Sequence, residues 1–251
     1  MTLASVEFKK TIKRMDAKIL FAISLWPLLI SLLAITGSGF FVSSGPTLGL
    51  VDFLATMIDF QDLIVLPLLV CVYICSMTFF SEIHQKQIYF YKDINRSKVL
   101  DAKYKAVFLT FTIFFLMYLI IAVFSYLGIF QFTSSGNGKF ISYDDHLLAS
   151  IFEIFEIYLS QLFYAHIGLS LALRFNTGTS IFLTILAYLL IKTSRFVSWA
   201  KYLTPVGYRE IIDFPSHSIL KTLAISLAIW FVYNFILYIL NRKYFNKIDY
   251  L

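Results

Sequence analysis

Residues 106–130 read AVFLTFTIFFLMYLIIAVFSYLGIF, without a single charged side chain. A helix needs about 20 consecutive apolar residues to cross the hydrocarbon core of a bilayer, so this run predicts a spanning helix and makes lipid the solvent of the fold. The rest of the chain agrees. Its 251 residues are 59% hydrophobic, 18% aromatic and 14% charged, with a mean hydropathy of +0.78. Soluble domains average about 45–50% apolar and roughly a quarter charged. Five further apolar runs lie at about 19–35, 63–80, 147–173, 177–196 and 219–240. The reading is an all-α polytopic membrane protein, one domain over residues 1–251, with six transmembrane helices. The fifth run has the shortest unbroken core, because Lys192 and Arg195 enter it. Pro27 and Pro67 fall inside the first two spans, where a missing backbone donor predicts kinks.

Residues 1–18 carry Phe8, Ile12 and Met15 in helical register with Ile19, while Lys9, Lys10, Lys13 and Arg14 occupy the remaining surface. That pattern predicts an amphipathic helix lying along the membrane face. The next run continues through Trp26, Pro27 and Leu28 to Ile35 without a small-residue cleavage site, so it reads as a retained first span rather than a signal peptide. The formal charge of +6 and pI near 9.1 do not imply nucleic acid, because the basic residues sit in the connections. With the N-terminus inside, 15 of the 21 Lys and Arg fall in inner segments. The positive-inside bias then puts both termini, and Lys92, in the cytoplasm and Ser135 outside. The exception is the last outer connection, where Lys192, Arg195, Lys201 and Arg209 mix with Trp199, Tyr202, Pro205, Tyr208 and Ile211. Residues 197–218 are expected to form short re-entrant or interfacial helices held by snorkelling and aromatic anchors.

Several chemistries have no visible residues. A phosphate-cradling loop requires G-x-x-x-x-G-K-[ST]. The nearest stretch, Gly136-Asn137-Gly138-Lys139, has Thr133 at the first glycine position and Phe140 after the lysine, and reads as a polar loop. There is no H-E-x-x-H and no G-x-S-x-G, hence no catalytic set. Cys71 and Cys75, four apart, share a helix face as small packing residues. His84, His146, His166 and His217 are scattered over different depths, so no metal site is expected. Asn95-Arg96-Ser97 spells a glycosylation triplet, but the topology places it inside.

Three polar features remain. The longest inner loop, 81–105, mixes charge with Ile88, Tyr89, Phe90 and Ile94. It is too apolar for a solvated linker and too charged for a span, which suits either a short helix docking on a partner or an interfacial helix touching lipid headgroups. Glu153 and Glu156, three apart in the fourth run, share a helix face. They read either as a structural pair or as an acidic patch that meets a cationic substrate or controls its lateral exit; Gln161 and His166 follow on roughly that side. Asn234, with Trp230 one turn earlier, is the main polar feature of the last span and suits helix packing or a place on a substrate path.

This order of features resembles the permease subunit of type-2 ABC exporters. Phe80 and Glu82 stand where that family ends its second span in a Glu. Ile88 to Tyr91 stand for its apolar patch, Asn95-Arg96-Ser97 for its Pro-x-x-Arg-like turn, and Lys103 for the Lys that opens its third span. The chain departs by lacking the Gly after the Glu and the Pro before the Arg, which implies a coupling helix of different shape. The resemblance covers nearly the whole chain. It implies that Glu82, Ile88, Tyr89, Tyr91, Asp93, Arg96 and Lys103 dock separate ABC ATP-binding subunits, which would hold the ATP and Mg; this chain carries no cofactor and is not itself an enzyme. It implies a second permease copy or paralogue, membrane lipids as surroundings, no nucleic acid, and residence in a bacterial plasma membrane. Size and composition look most similar to permeases of peptide or antibiotic efflux and bacteriocin-immunity systems. A polysaccharide or teichoic-acid exporter permease is the near rival, and a non-transporting immunity or sensor protein the more distant one. Glu153, Glu156, Gln161 and Asn234 are the candidate substrate or gating residues.

Overall fold

Helix α1, Leu3–Lys13, is capped by the Thr2 side chain, which accepts from the Ser5 N–H, and ends where Arg14 turns extended. Its buried face is polar: Glu7 and Thr11 point into the protein, while Val6 is exposed and Met15 and Ile19 beyond it are exposed too. A helix in water does the opposite. The structure is a computed structural model that describes residues 2–36, 47–85, 94–141, 147–208 and 219–247. It is 84% helical with no strand among the described residues. Of the residues named above, Ile88, Tyr89, Phe90, Tyr91, Lys92, Asp93, His146, Arg209, Ile211 and His217 lie outside the described residues.

Among the described residues eight further helices follow: α2 (Met15–Ile23), α3 (Trp26–Ile35), α4 (Leu50–Ile64), α5 (Leu66–His84), α6 (Arg96–Gly128), α7 (Leu147–Ala172), α8 (Thr177–Ser194) and α9 (Ile219–Phe245). Six stretches are long and apolar enough to cross a membrane: α2 with α3, α5, α6 together with the short turn Phe130–Phe132, α7, α8 and α9. The first span breaks one turn before Pro27, which sits in the first turn of α3 where its missing N–H costs nothing. Pro67 likewise opens α5 rather than kinking it.

The larger departure from the expected layout lies before Pro67. The connection expected between the first two spans contains α4, whose Phe53, Met57, Ile58 and Gln61 are buried against α6 and α7. Helices α4 and α5 are separated by Val65 alone, at φ 61°. A β-branched residue in the left-handed region is strained by about 1–2 kcal/mol. The break leaves the last carbonyls of α4 without the next helical turn.

The core is aromatic. Phe53 packs against Phe130 at 4.5 Å and Tyr126 at 5.4 Å, and the Tyr118 hydroxyl donates to the Met57 carbonyl at 2.7 Å. Helices α5 and α7 approach closely because position 168 is Gly: a Cβ there would lie 2.7 Å from Val72 Cγ2. Cys71 and Cys75 are free and buried, with the Cys75 thiol 3.8 Å from the Ala165 carbonyl. The Gly136 loop closes on Leu48 through a short parallel bridge, and a Cβ at Gly136 would collide with the Phe130 carbonyl at 2.4 Å. That loop therefore has a tertiary role. Residues 197–208 hold two short 3₁₀ turns, Ala200–Tyr202 and Pro205–Gly207. The outward faces of α8 and α9 are Phe182, Leu186, Leu190, Leu220, Phe231 and Phe235, all exposed, as lipid contact requires.

The chain runs so that the ends of α5, α7 and α9 meet the starts of α6 and α8 at one end of the bundle, where α1 also lies. Lys9, Lys10, Arg14, Arg96, Lys98, Lys103, Arg174 and Arg242 gather there; Lys192, Arg195 and Lys201 stand at the other.

Candidate functional site

Three polar assemblies lie inside this apolar bundle, where an unpaired polar group costs several kcal/mol. The first closes the basic end. Lys103, at 1% side-chain exposure, is paired with Glu82 and lies 3.5 Å from Glu7; it also donates to the Thr78 carbonyl at 3.0 Å. Lys10 pairs with the other oxygen of Glu82. Arg14 pairs with Asp16 at 2.5 Å and reaches the Thr78 hydroxyl. Two acids and two lysines thus tie together α1, the last turn of α5 and the third turn of α6. Glu82 and Lys103, both expected among the docking residues, are turned inward onto each other. Arg96 instead donates to the Asn246 carbonyl at 2.7 Å, and Ser97 accepts from Arg242 at 3.2 Å, fastening the start of α6 to the end of α9.

The second assembly surrounds the break between α4 and α5. Lys192, in the last turn of α8, pairs with the buried carboxylate of Asp62, and the Tyr188 hydroxyl donates to the Asp62 carbonyl at 2.7 Å. Gln161 donates toward Asp62 at 3.5 Å and accepts from Gln61 at 3.4 Å. Glu156 is buried in the same electrostatic neighbourhood as Asp62 and Lys192 and accepts from the Ser160 hydroxyl at 2.8 Å. Gln61 Oε1 and the Tyr164 hydroxyl are buried without a hydrogen-bond partner among the described residues, and both residues line a cavity of about 10 Å³, the scale of one water molecule. Of the acidic pair read from the sequence, only Glu156 enters this chamber; Glu153 is half-buried.

The third is a directed chain of hydrogen bonds between α6, α7 and α9. Arg174 has only donors, so the Asn241 atom 2.8 Å from it is the carbonyl oxygen. The Asn241 amide then donates to the Tyr104 hydroxyl at 2.6 Å. Asn234 spends its amide on the Trp230 carbonyl at 2.8 Å, so its oxygen accepts from His166 Nδ1 at 2.7 Å. That leaves His166 Nε2 to accept from Tyr104 at 3.1 Å. With the ring proton on Nδ1, the donors along this chain all run one way. Asn234 and His166 were legible as polar residues in spans; Asn241, Tyr104 and Arg174 were not.

The chain matches no family model, no curated protein and no solved structure. Among the described residues no group of three or more His, Cys, Asp or Glu could hold a metal ion.

Proposed function

We propose that this chain is the membrane-spanning subunit of an ATP-driven ABC exporter, a multi-pass protein of a bacterial plasma membrane with both termini in the cytoplasm, carrying amphipathic peptides or hydrophobic drugs. The observation that carries the reading is the four-charge node of Glu7, Lys10, Glu82 and Lys103. A force applied to residues 86–93 by a docked subunit reaches α5 through Glu82 and α6 through Lys103, and the same node grips α1. The three helices then shift as one body, which rigid-body coupling between two arrangements requires.

The gathering of basic residues at the node's end supports a cytoplasmic face there. ATP and Mg belong to partner subunits, and a second permease copy or paralogue completes the translocation unit. The chamber of Asp62, Glu156, Gln161 and Lys192 sits toward the opposite end, beside a strained helix break, and supplies the element that changes as cargo leaves. Asn234 serves the hydrogen-bonded chain with His166 and holds α9 to α7.

The reading is tested by isolating the tagged chain from its native membrane in mild detergent. ATP hydrolysis should follow it through size exclusion and rise on addition of a cationic amphipathic peptide. A chain that elutes intact without ATPase activity contradicts the proposal and favours a solitary immunity or sensor protein; stimulation by an anionic glycan in place of the peptide favours the polysaccharide or teichoic-acid reading.

A further inference from the structure

Helix α9 carries Trp230, Asn234, Tyr238 and Arg242 at four-residue intervals, which places them in one row down one face. Opposite them on α6 run Thr112, Phe108, Tyr104, Asp101 and Ser97. Between the two rows lies an open groove of about 440 Å³, floored by Tyr158, Leu162 and His166 of α7. The polar groups in its wall are already engaged with one another: His166 with Tyr104 and Asn234, Thr112 with Tyr158 at 2.9 Å, and Tyr238 with Asp101 at 2.6 Å. What the groove offers an occupant is aromatic and aliphatic surface.

At the basic end the character changes within one turn. Arg242 follows Tyr238 in the row and touches Ser97, with Lys98 and Lys243 exposed beside them in sequence on the same two helix ends. The one carboxylate beside this mouth in the described residues, Asp101, is taken by Tyr238. An occupant that matches both halves has a long apolar tail and an anionic head at the level of a helix end. A peptide would need its own backbone groups satisfied in the groove, where the free donors and acceptors are spent.

We propose that the groove between α6 and α9 binds one anionic phospholipid, its acyl chain lying between Trp230 and Phe108 and its phosphate on Arg242. Basic clusters at the ends of adjacent helices recognise anionic headgroups in this way. The groove shares no lining residue with the cavity at Asp62, and lipid contact at Trp230 is read independently of any ATPase subunit.

Trp230 reports occupancy directly. In a Trp26→Phe, Trp199→Phe background, the full-length protein is reconstituted in zwitterionic vesicles containing a small fraction of phosphatidylglycerol brominated along one acyl chain. Bromine quenches indole fluorescence only in contact. The expected result is quenching of Trp230 at a lower mole fraction of brominated phosphatidylglycerol than of brominated phosphatidylcholine, with Arg242→Gln reducing that preference about fivefold, the effect of one basic residue at an anionic surface. Arg242 is exposed and Gln can still donate to Ser97, and unchanged quenching of the variant by the zwitterionic lipid is the control for folding. Equal quenching by the two lipids means bulk lipid fills the groove and overturns the proposal. No quenching by either means that another occupant, such as a second copy of the chain, covers Trp230, which also overturns it.

Discussion

Replacing Lys103 with Met removes the charge on which two buried acids depend. Side-chain exposure is 1% for Lys103, 2% for Glu7, 6% for Glu82 and 46% for Lys10. Once Lys103 is gone, Glu82 keeps Lys10, whereas Glu7 loses the ammonium 3.5 Å away. Breaking a buried pair by removing one partner costs about 3–5 kcal/mol, while an exposed partner contributes about 0–1 kcal/mol. Lys103→Met should therefore destabilise by several kcal/mol and Lys10→Met by less than about 1. For a chain of this length about 2–4 °C of Tm follows each kcal/mol, so Lys103→Met should lower the midpoint by roughly 6–20 °C. Adding Glu7→Gln to Lys103→Met should recover part of the loss, because a buried carboxylate that has lost the Lys103 ammonium is neutralised. The assay is thermal unfolding of the purified chain in one detergent at one scan rate, followed by intrinsic fluorescence. Equal losses for the two lysine variants, or no recovery on adding Glu7→Gln, would refute the node as a buried charge cluster.

Lys192→Met strands Asp62 and should cost about 3–5 kcal/mol, with Asp62→Asn restoring most of it in the double variant; Glu156→Gln keeps the Ser160 hydrogen bond and should leave the unfolding midpoint unchanged or raise it, as the same melts will show. Asn241→Leu removes the hydrogen bonds that join Arg174 to Tyr104 while Arg174 keeps Ser170 and Tyr104 keeps His166, a loss of about 0.5–1.5 kcal/mol per hydrogen bond; a midpoint within error of the wild type would refute the directed chain. Val65→Gly relieves a left-handed β-branched residue and should stabilise by about 1 kcal/mol, and a loss of stability would show that the valine side chain outweighs its backbone strain.

The spans were legible because their lengths and lack of charge are local properties. Residues 106–130 require nothing else in the chain to be read as a helix. Helix α4 escaped that reading because its 15 residues are too few to cross a bilayer and Asp52, Asp59 and Asp62 interrupt its apolar residues; its apolar face, Phe53, Met57 and Ile58, is buried on α6 and α7. The candidate site was legible one residue at a time and not as pairs. Lys192 weakened the fifth span on paper, and the signal available was that a lysine in a span needs a counter-ion; Asp62, 130 residues earlier, cannot be chosen from spacing. Glu153 and Glu156 lie on neighbouring parts of one helix, yet a helix has several faces and burial selects Glu156 alone. Glu82 and Lys103 were singled out together through a resemblance, and the fold turns them into each other, so a substitution at either reports on the node before it reports on any partner.

The central claim is that force enters through residues 86–93, between Glu82 and Lys103. A photo-crosslinker placed at Tyr89 in the full-length chain, activated in native membranes and probed with a photoreactive ATP analogue, tests it most directly. The account predicts a crosslinked product that contains both this chain and an ATP-labelled subunit, with the same probe at Ser135 giving none. Crosslinking of Tyr89 to lipid alone, or ATP-labelled product from Ser135 and not from Tyr89, would contradict it.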